Sequence, residues 1–89
     1  MTLEEMTSSL REALDNAGLP NAVIKAEDLG DNGYRLKVTE KRGERRAGIA
    51  ITIGPEALRY AHPTTWEVSC GQVTQAILRH WATVGNSNE

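Results

Sequence analysis

Leu3, Met6, Leu10, Ala13, Leu14 and Ala17 recur at the steps of a helix, while Glu4, Ser8, Arg11, Glu12 and Asp15 fill the opposite side. The ends of this stripe are marked as clearly as its middle. Thr2 and Glu5 stand at the spacing of a capping box, in which each side chain satisfies the other residue's free N–H. Glu4 and Glu5 also complement the positive end of the helix dipole. Gly18 occupies the place of a left-handed residue just past the last turn, Leu19 can fold back, and Pro20 forbids continuation. The pattern predicts a helix over residues 3–17.

The period then changes from helical to alternating. Tyr34, Leu36 and Val38 alternate with Arg35, Lys37 and Thr39, and Ile49, Ile51 and Ile53 alternate with Gly48, Ala50 and Thr52. Both runs read as strands with one apolar face. A two-residue loop at Arg42-Gly43 would set Val38 opposite Ala47, Leu36 opposite Ile49 and Tyr34 opposite Ile51. It would also pair Lys41 with Glu44 and Glu40 with Arg45. A slip of one residue would turn every side chain to the wrong face. Before this hairpin, Asp31-Asn32-Gly33 suits a three-residue loop that returns to a strand carrying Ile24 and Ala26 inward. That register brings Asp28 inward and Leu29 outward, and a bulge near Glu27-Asp28 would reconcile it.

Residues 54–68 carry the weakest pattern. Gly54-Pro55-Glu56 suits either a short helical turn opened by Pro55 or a bend into a further strand through Leu58 and Tyr60. His62-Pro63 calls for extended or turn geometry, and Thr64 to Val68 for a short strand. Ser69 and Gln72 form a second capping box ahead of a helical stripe of Val73, Ala76, Ile77, His80, Trp81 and Val84 that ends at Gly85. The expected fold is α+β, in the order α-β-β-β-α, with an antiparallel sheet and two helices packed on one face. The expected organisation is a single compact domain over residues 1–85 and a disordered tail over 86–89.

Composition narrows the class without naming an activity. Eighty-nine residues suit one small core, and with no Phe in the chain its two Trp and two Tyr supply all the aromatic bulk. The net charge of -2 speaks against a dedicated nucleic-acid or membrane binder. The lone Cys70 cannot form an intramolecular disulfide. No basic, apolar leader opens the chain and no apolar run reaches membrane-spanning length, so a cytoplasmic location is expected.

The charge is nevertheless uneven. Arg35, Lys37, Lys41, Arg42, Arg45 and Arg46 crowd one short window. Arg35, Lys37 and Arg46 are expected on the sheet face away from the helices, with the others at the hairpin tip. Such a patch suits an acidic protein surface or phosphates. The plainer alternative is a solvated hairpin that Glu40 and Glu44 partly neutralise. The element order is that of double-stranded-RNA-binding domains, which grip phosphates with lysines at the start of their second helix. Here Ser69-Cys70-Gly71-Gln72-Val73-Thr74-Gln75 holds neither lysine nor arginine, so no resemblance is drawn. Gly30-Asp31-Asn32-Gly33 has the outline of a KH-domain loop, but its acid would repel a phosphate backbone and a plain turn explains it.

Catalytic chemistry finds little to build on. Cys70 near a helix N-terminus, with His62 or His80 as base, would be the only nucleophile, and a small buried thiol is the simpler reading. The three together match no zinc spacing, and no cofactor loop is present. Trp81 suits the core, while Trp66, in a loop-like stretch, suits either the core or a partner contact. The expectation is a non-catalytic interaction protein, a regulator or inhibitor, that docks on an acidic protein partner through Arg35, Lys37, Lys41, Arg42, Arg45, Arg46 and Trp66. Direct nucleic-acid binding by the same surface is the alternative. Inhibitors encoded by phages and mobile elements, anti-CRISPR or antitoxin-like, are comparable in size and type, and no motif stands behind that analogy.

Overall fold

The computed structural model describes residues 1–86. It contains a helix α1 (Leu3–Asn16), strands β1 (Val23–Asp28), β2 (Tyr34–Arg42) and β3 (Arg45–Ile53), a short helix α2 (Pro55–Tyr60) and a long helix α3 (Pro63–Asn86). The sheet is antiparallel and open, in the order β1-β2-β3. The α+β class and the order of the first four elements are those the pattern predicts. The end of α1 is a Schellman motif: Leu19 N–H donates to the Leu14 carbonyl at 2.8 Å and Gly18 N–H to that of Asp15 at 3.2 Å, with Gly18 at φ 80°.

The β2–β3 hairpin forms, but its loop is Gly43-Glu44 rather than Arg42-Gly43, with Arg42 opposite Arg45. Gly43 takes φ 64° as the first central residue, a position where a two-residue loop of type II′ needs glycine. The shift is by two residues, so every face is preserved while every partner changes. Leu36 now meets Ile51, Val38 meets Ile49 and Tyr34 meets Ile53. Lys41 and Glu40 now stand directly opposite Arg46 and Ala47 instead of Glu44 and Arg45. The rungs are apolar in either register, so the glycine at the first loop position decides between them.

The β1–β2 connection differs in the same way. Five residues, 29–33, join the strands through a 3-10 turn at Gly30–Asn32, and the ladder runs unbroken from Val23–Thr39 to Asp28–Tyr34. No bulge is needed, because Asp28 lies at the strand end with its carboxylate exposed, accepting from Gly30 N–H at 2.8 Å. Gly33 closes this turn at φ 93° against the backbone of Ile53 and Gly54.

Within 54–68 the short helical turn forms in place of a further strand. Ala61 is extended ahead of His62-Pro63, the geometry expected there, and Thr64 to Val68 are helical where a short strand was expected. Pro55 opens α2 at its first position. Pro63 opens α3, and the exposed His62 caps it: its Nδ1 accepts from Thr64 N–H at 3.2 Å and its carbonyl from Trp66 N–H at 3.0 Å. Ser69 and Gln72 are therefore helix-interior residues and not a cap. The apolar stripe extends back from Ile77 and Val73 through Cys70 to Trp66, all buried. These side chains form one cluster with Met6, Leu10 and Leu14 of α1, Leu36 and Val38 of β2, and Ala47 and Ile53 of β3. That cluster is compatible with helices packed on a single sheet face. The Val84 side chain and residues 87–89 of the expected tail lie outside the described residues.

Candidate functional site

Strand parity sorts the basic residues into two sets. Arg35, Lys37 and Lys41 of β2 and Arg46 of β3 point to the sheet face opposite Leu36, Val38 and the core. Lys25 of β1, which the basic window in the sequence left out, joins them directly opposite Lys37. The rest of that face is Val23, Thr39, Gly48, Ala50, Thr52 and one acid, Glu27. Glu27 is shared between Lys37 at 3.3 Å and Arg35 at 3.7 Å. Among the described residues, Lys25, Lys41 and Arg46 make no ion pair.

Two rungs of this face set like charges directly across from each other: Lys25 against Lys37, and Lys41 against Arg46. Counting outward from the two-residue loop, Lys41–Arg46 is a non-hydrogen-bonded pair, the type whose side chains lie closest. Like charges in such positions destabilise a sheet. The face thus carries five cations and one carboxylate, on a chain whose net charge is -2.

Arg42 and Arg45 belong to the other parity. Arg42 has a structural assignment: its Nε donates to Glu40 Oε1 at 3.0 Å, and its guanidinium lies 4.8 Å from the Trp81 ring centre. Trp81 Nε1 donates to the same Glu40 oxygen at 2.6 Å. Glu40, 3% exposed, is thereby the buried acceptor that fastens α3 to the hairpin. Trp66, the remaining candidate contact, is 5% exposed and donates through Nε1 to the Met6 carbonyl at 2.9 Å. Its ring belongs to the core cluster and meets the surface only at its margin.

The other chemistry-bearing groups are dispersed. Cys70 is buried in the middle of α3, and burial, reinforced by the charge of Glu67, pushes its thiol up to about 11. That is the opposite of an activated nucleophile. Among the described residues, no three His, Cys, Asp or Glu side chains are grouped to hold a metal ion. A hollow of about 620 Å³ between α1 and β1 contains Arg11 as its cation. Arg11 spends its donors on Asp15 and on the carbonyls of Leu19 and Ala22, fastening α1 to the segment that enters β1. Among the described residues, no helix is long and apolar enough to cross a membrane. What the geometry defines is a small α+β protein with a bare cationic sheet face. The chain matches no known protein family, no curated protein and no solved structure.

Proposed function

We propose that this is a small non-catalytic interaction module of the cytoplasm, a regulator or inhibitor that docks the outer face of its sheet on an acidic surface of a partner protein. The observation that carries the reading is the pair of like-charged rungs, Lys25–Lys37 and Lys41–Arg46, on a face left open by the helices. Selection for stability alone would set opposite charges across those rungs. A partner that brings carboxylates there converts repulsion within the free protein into attraction in the complex. The contact residues are Lys25, Arg35, Lys37, Lys41 and Arg46.

Two features favour an acidic protein over a nucleic acid. The outer face holds no aromatic side chain on which a base could stack. The strip is also short and ends in acids, Glu44 at one end and Asp31 at the other, which would repel a phosphate backbone running past it. The test compares polyglutamate with mixed-sequence DNA and RNA at low and physiological salt, using wild type and a Lys37→Glu/Lys41→Glu variant. Polyglutamate bound by wild type alone, with nucleic acid weaker, supports the reading. Tighter binding of nucleic acid with a steep salt dependence would instead make this a nucleic-acid module.

A further inference from the structure

The two edges of the sheet differ. On β1, Lys25, Glu27 and Asp28 interrupt a strand of six residues, the usual protection of an edge against further pairing. On β3, the seven residues from Ala47 to Ile53 carry no charge and no proline. The two-residue loop makes Arg42–Arg45 a hydrogen-bonded pair, so the odd residues of β3 bond to β2 and the even ones turn their N–H and C=O groups outward. Gly48, Ala50 and Thr52 therefore present a free ladder, and all three are exposed. Among the described residues, no other element supplies them a backbone partner.

Beside this edge lies a groove of about 330 Å³ between β3 and α3. Half-buried Ile49 and Ile51 form its sheet side, Ile53 and Trp66 its end, and Val73 and Gln72 its helix side. On the other face, the small side chains at Gly48 and Ala50 leave the cations of β2 uncovered from the edge. An added strand would run about 10 Å from β2, two strand spacings, within joint reach of a lysine and a glutamate.

We infer that β3 is a strand-addition site for an extended segment of the partner in which apolar and acidic residues alternate. The segment pairs with Gly48, Ala50 and Thr52 through its main chain. Its apolar side chains enter the groove beside Ile49 and Ile51, and its acidic side chains lie on the outer face toward Lys37, Lys41 and Arg46. The acidic half of this ligand rests on the proposed function; the edge and the groove are independent of it. A second copy of this chain is a poor occupant, because pairing two β3 edges would fuse two cationic faces into one sheet.

The probe is a blocked nonapeptide of alternating glutamate and valine, with a peptide of the same composition in block order as control. Binding is read by calorimetry and by amide exchange. The alternating peptide is expected to bind at least about tenfold tighter than the block peptide and to protect the amides of Gly48, Ala50 and Thr52, leaving the outward amides of Ile24 and Ala26 on the β1 edge unchanged. Ala50→Pro removes only an outward N–H, which edge strands tolerate, and is expected to abolish that preference while the thermal transition persists. The amide readout on wild type stands even where the proline variant fails to fold. Equal binding of the two peptides, or no protection along β3, overturns the strand-addition site. If polyglutamate still binds in that case, docking on the cationic face survives; if neither probe binds, both proposals fall. A dimer held by β3 in light scattering would likewise overturn the site.

Discussion

Removing the indole N–H of Trp81 should loosen the joint between α3 and the hairpin by an amount that the structure sets. In Trp81→Phe the ring stays over Arg42, weakened as a cation–π partner, and Glu40 loses the indole donor while keeping the Arg42 bond. A hydrogen bond to a charged group is worth roughly 1.5–3 kcal/mol, and the acceptor here is a carboxylate 3% exposed. A loss of about 2 kcal/mol is therefore expected, which for a domain of this size lowers Tm by about 8–16 °C. The assay is urea unfolding of four proteins: wild type, Trp81→Phe, Glu40→Gln and the double variant. If the 2.6 Å contact acts as described, the Trp81→Phe loss shrinks by about 1 kcal/mol or more in the Glu40→Gln background. A loss of the same size in both backgrounds would refute the joint and leave Trp81 as a packing residue only.

Other outcomes follow from single positions. Gly33→Ala should cost more than about 3 kcal/mol or prevent folding, because the new Cβ would lie 2.0 Å from the Ile53 carbonyl oxygen at a positive φ; a Tm within a few degrees of wild type contradicts this. Cys70 should resist iodoacetamide at pH 8 until urea unfolds the chain, since its thiol is buried and held to about 11. The same shift has a pH signature. Its contribution is complete below the ordinary thiol value of 9.0 and is lost as the pH rises through about 11, so the stability advantage of wild type over Cys70→Ala should narrow across that window. A constant difference from pH 8 to 11 would mean that the thiol is not desolvated as the fold requires.

Periodicity carried most of the fold and hydrogen-bond geometry the rest. The stripe of α1 and its caps were legible to within one residue, Ala17 being the C-cap and not the last helical residue, because Thr2, Glu5, Gly18 and Pro20 each act on their own neighbours. Strand faces were legible because parity survives an even shift, whereas partners were not, because Arg42-Gly43 and Gly43-Glu44 both offer a two-residue loop around one glycine. The choice between them lies with the turn type, since the Gly43-Glu44 loop puts the positive φ at its first central residue, on the glycine. The start of α3 was misplaced because Ser69 and Gln72 mimic a cap, although Trp66 and Cys70 continue the Val73–Ile77 stripe backward. At the candidate site, Arg35, Lys37 and Arg46 share the outer face that the pattern assigned them, and Lys41, expected at the hairpin tip, joins them there opposite Arg46. The structural use of Arg42 was missed, yet a signal existed: Glu40 shares the parity of Leu36 and Val38, and an inward carboxylate demands donors. Trp81 and Arg42 supply them. Lys25 escaped notice because it lies outside the basic window and joins the patch only across the sheet.

The central claim, that the outer face gives up stability for binding, is tested most directly by one substitution read two ways. Lys41→Glu places a carboxylate opposite Arg46 and turns a repulsive rung into an attractive one. It should raise the unfolding free energy of the isolated protein by about 0.5–1 kcal/mol at low salt, a gain that shrinks as salt is added. The same variant should bind polyglutamate several-fold more weakly than wild type. A more stable protein that binds less well is the predicted result. A variant that gains stability and binds the acidic probe as tightly as wild type would contradict the account and return the basic face to ordinary solvated surface.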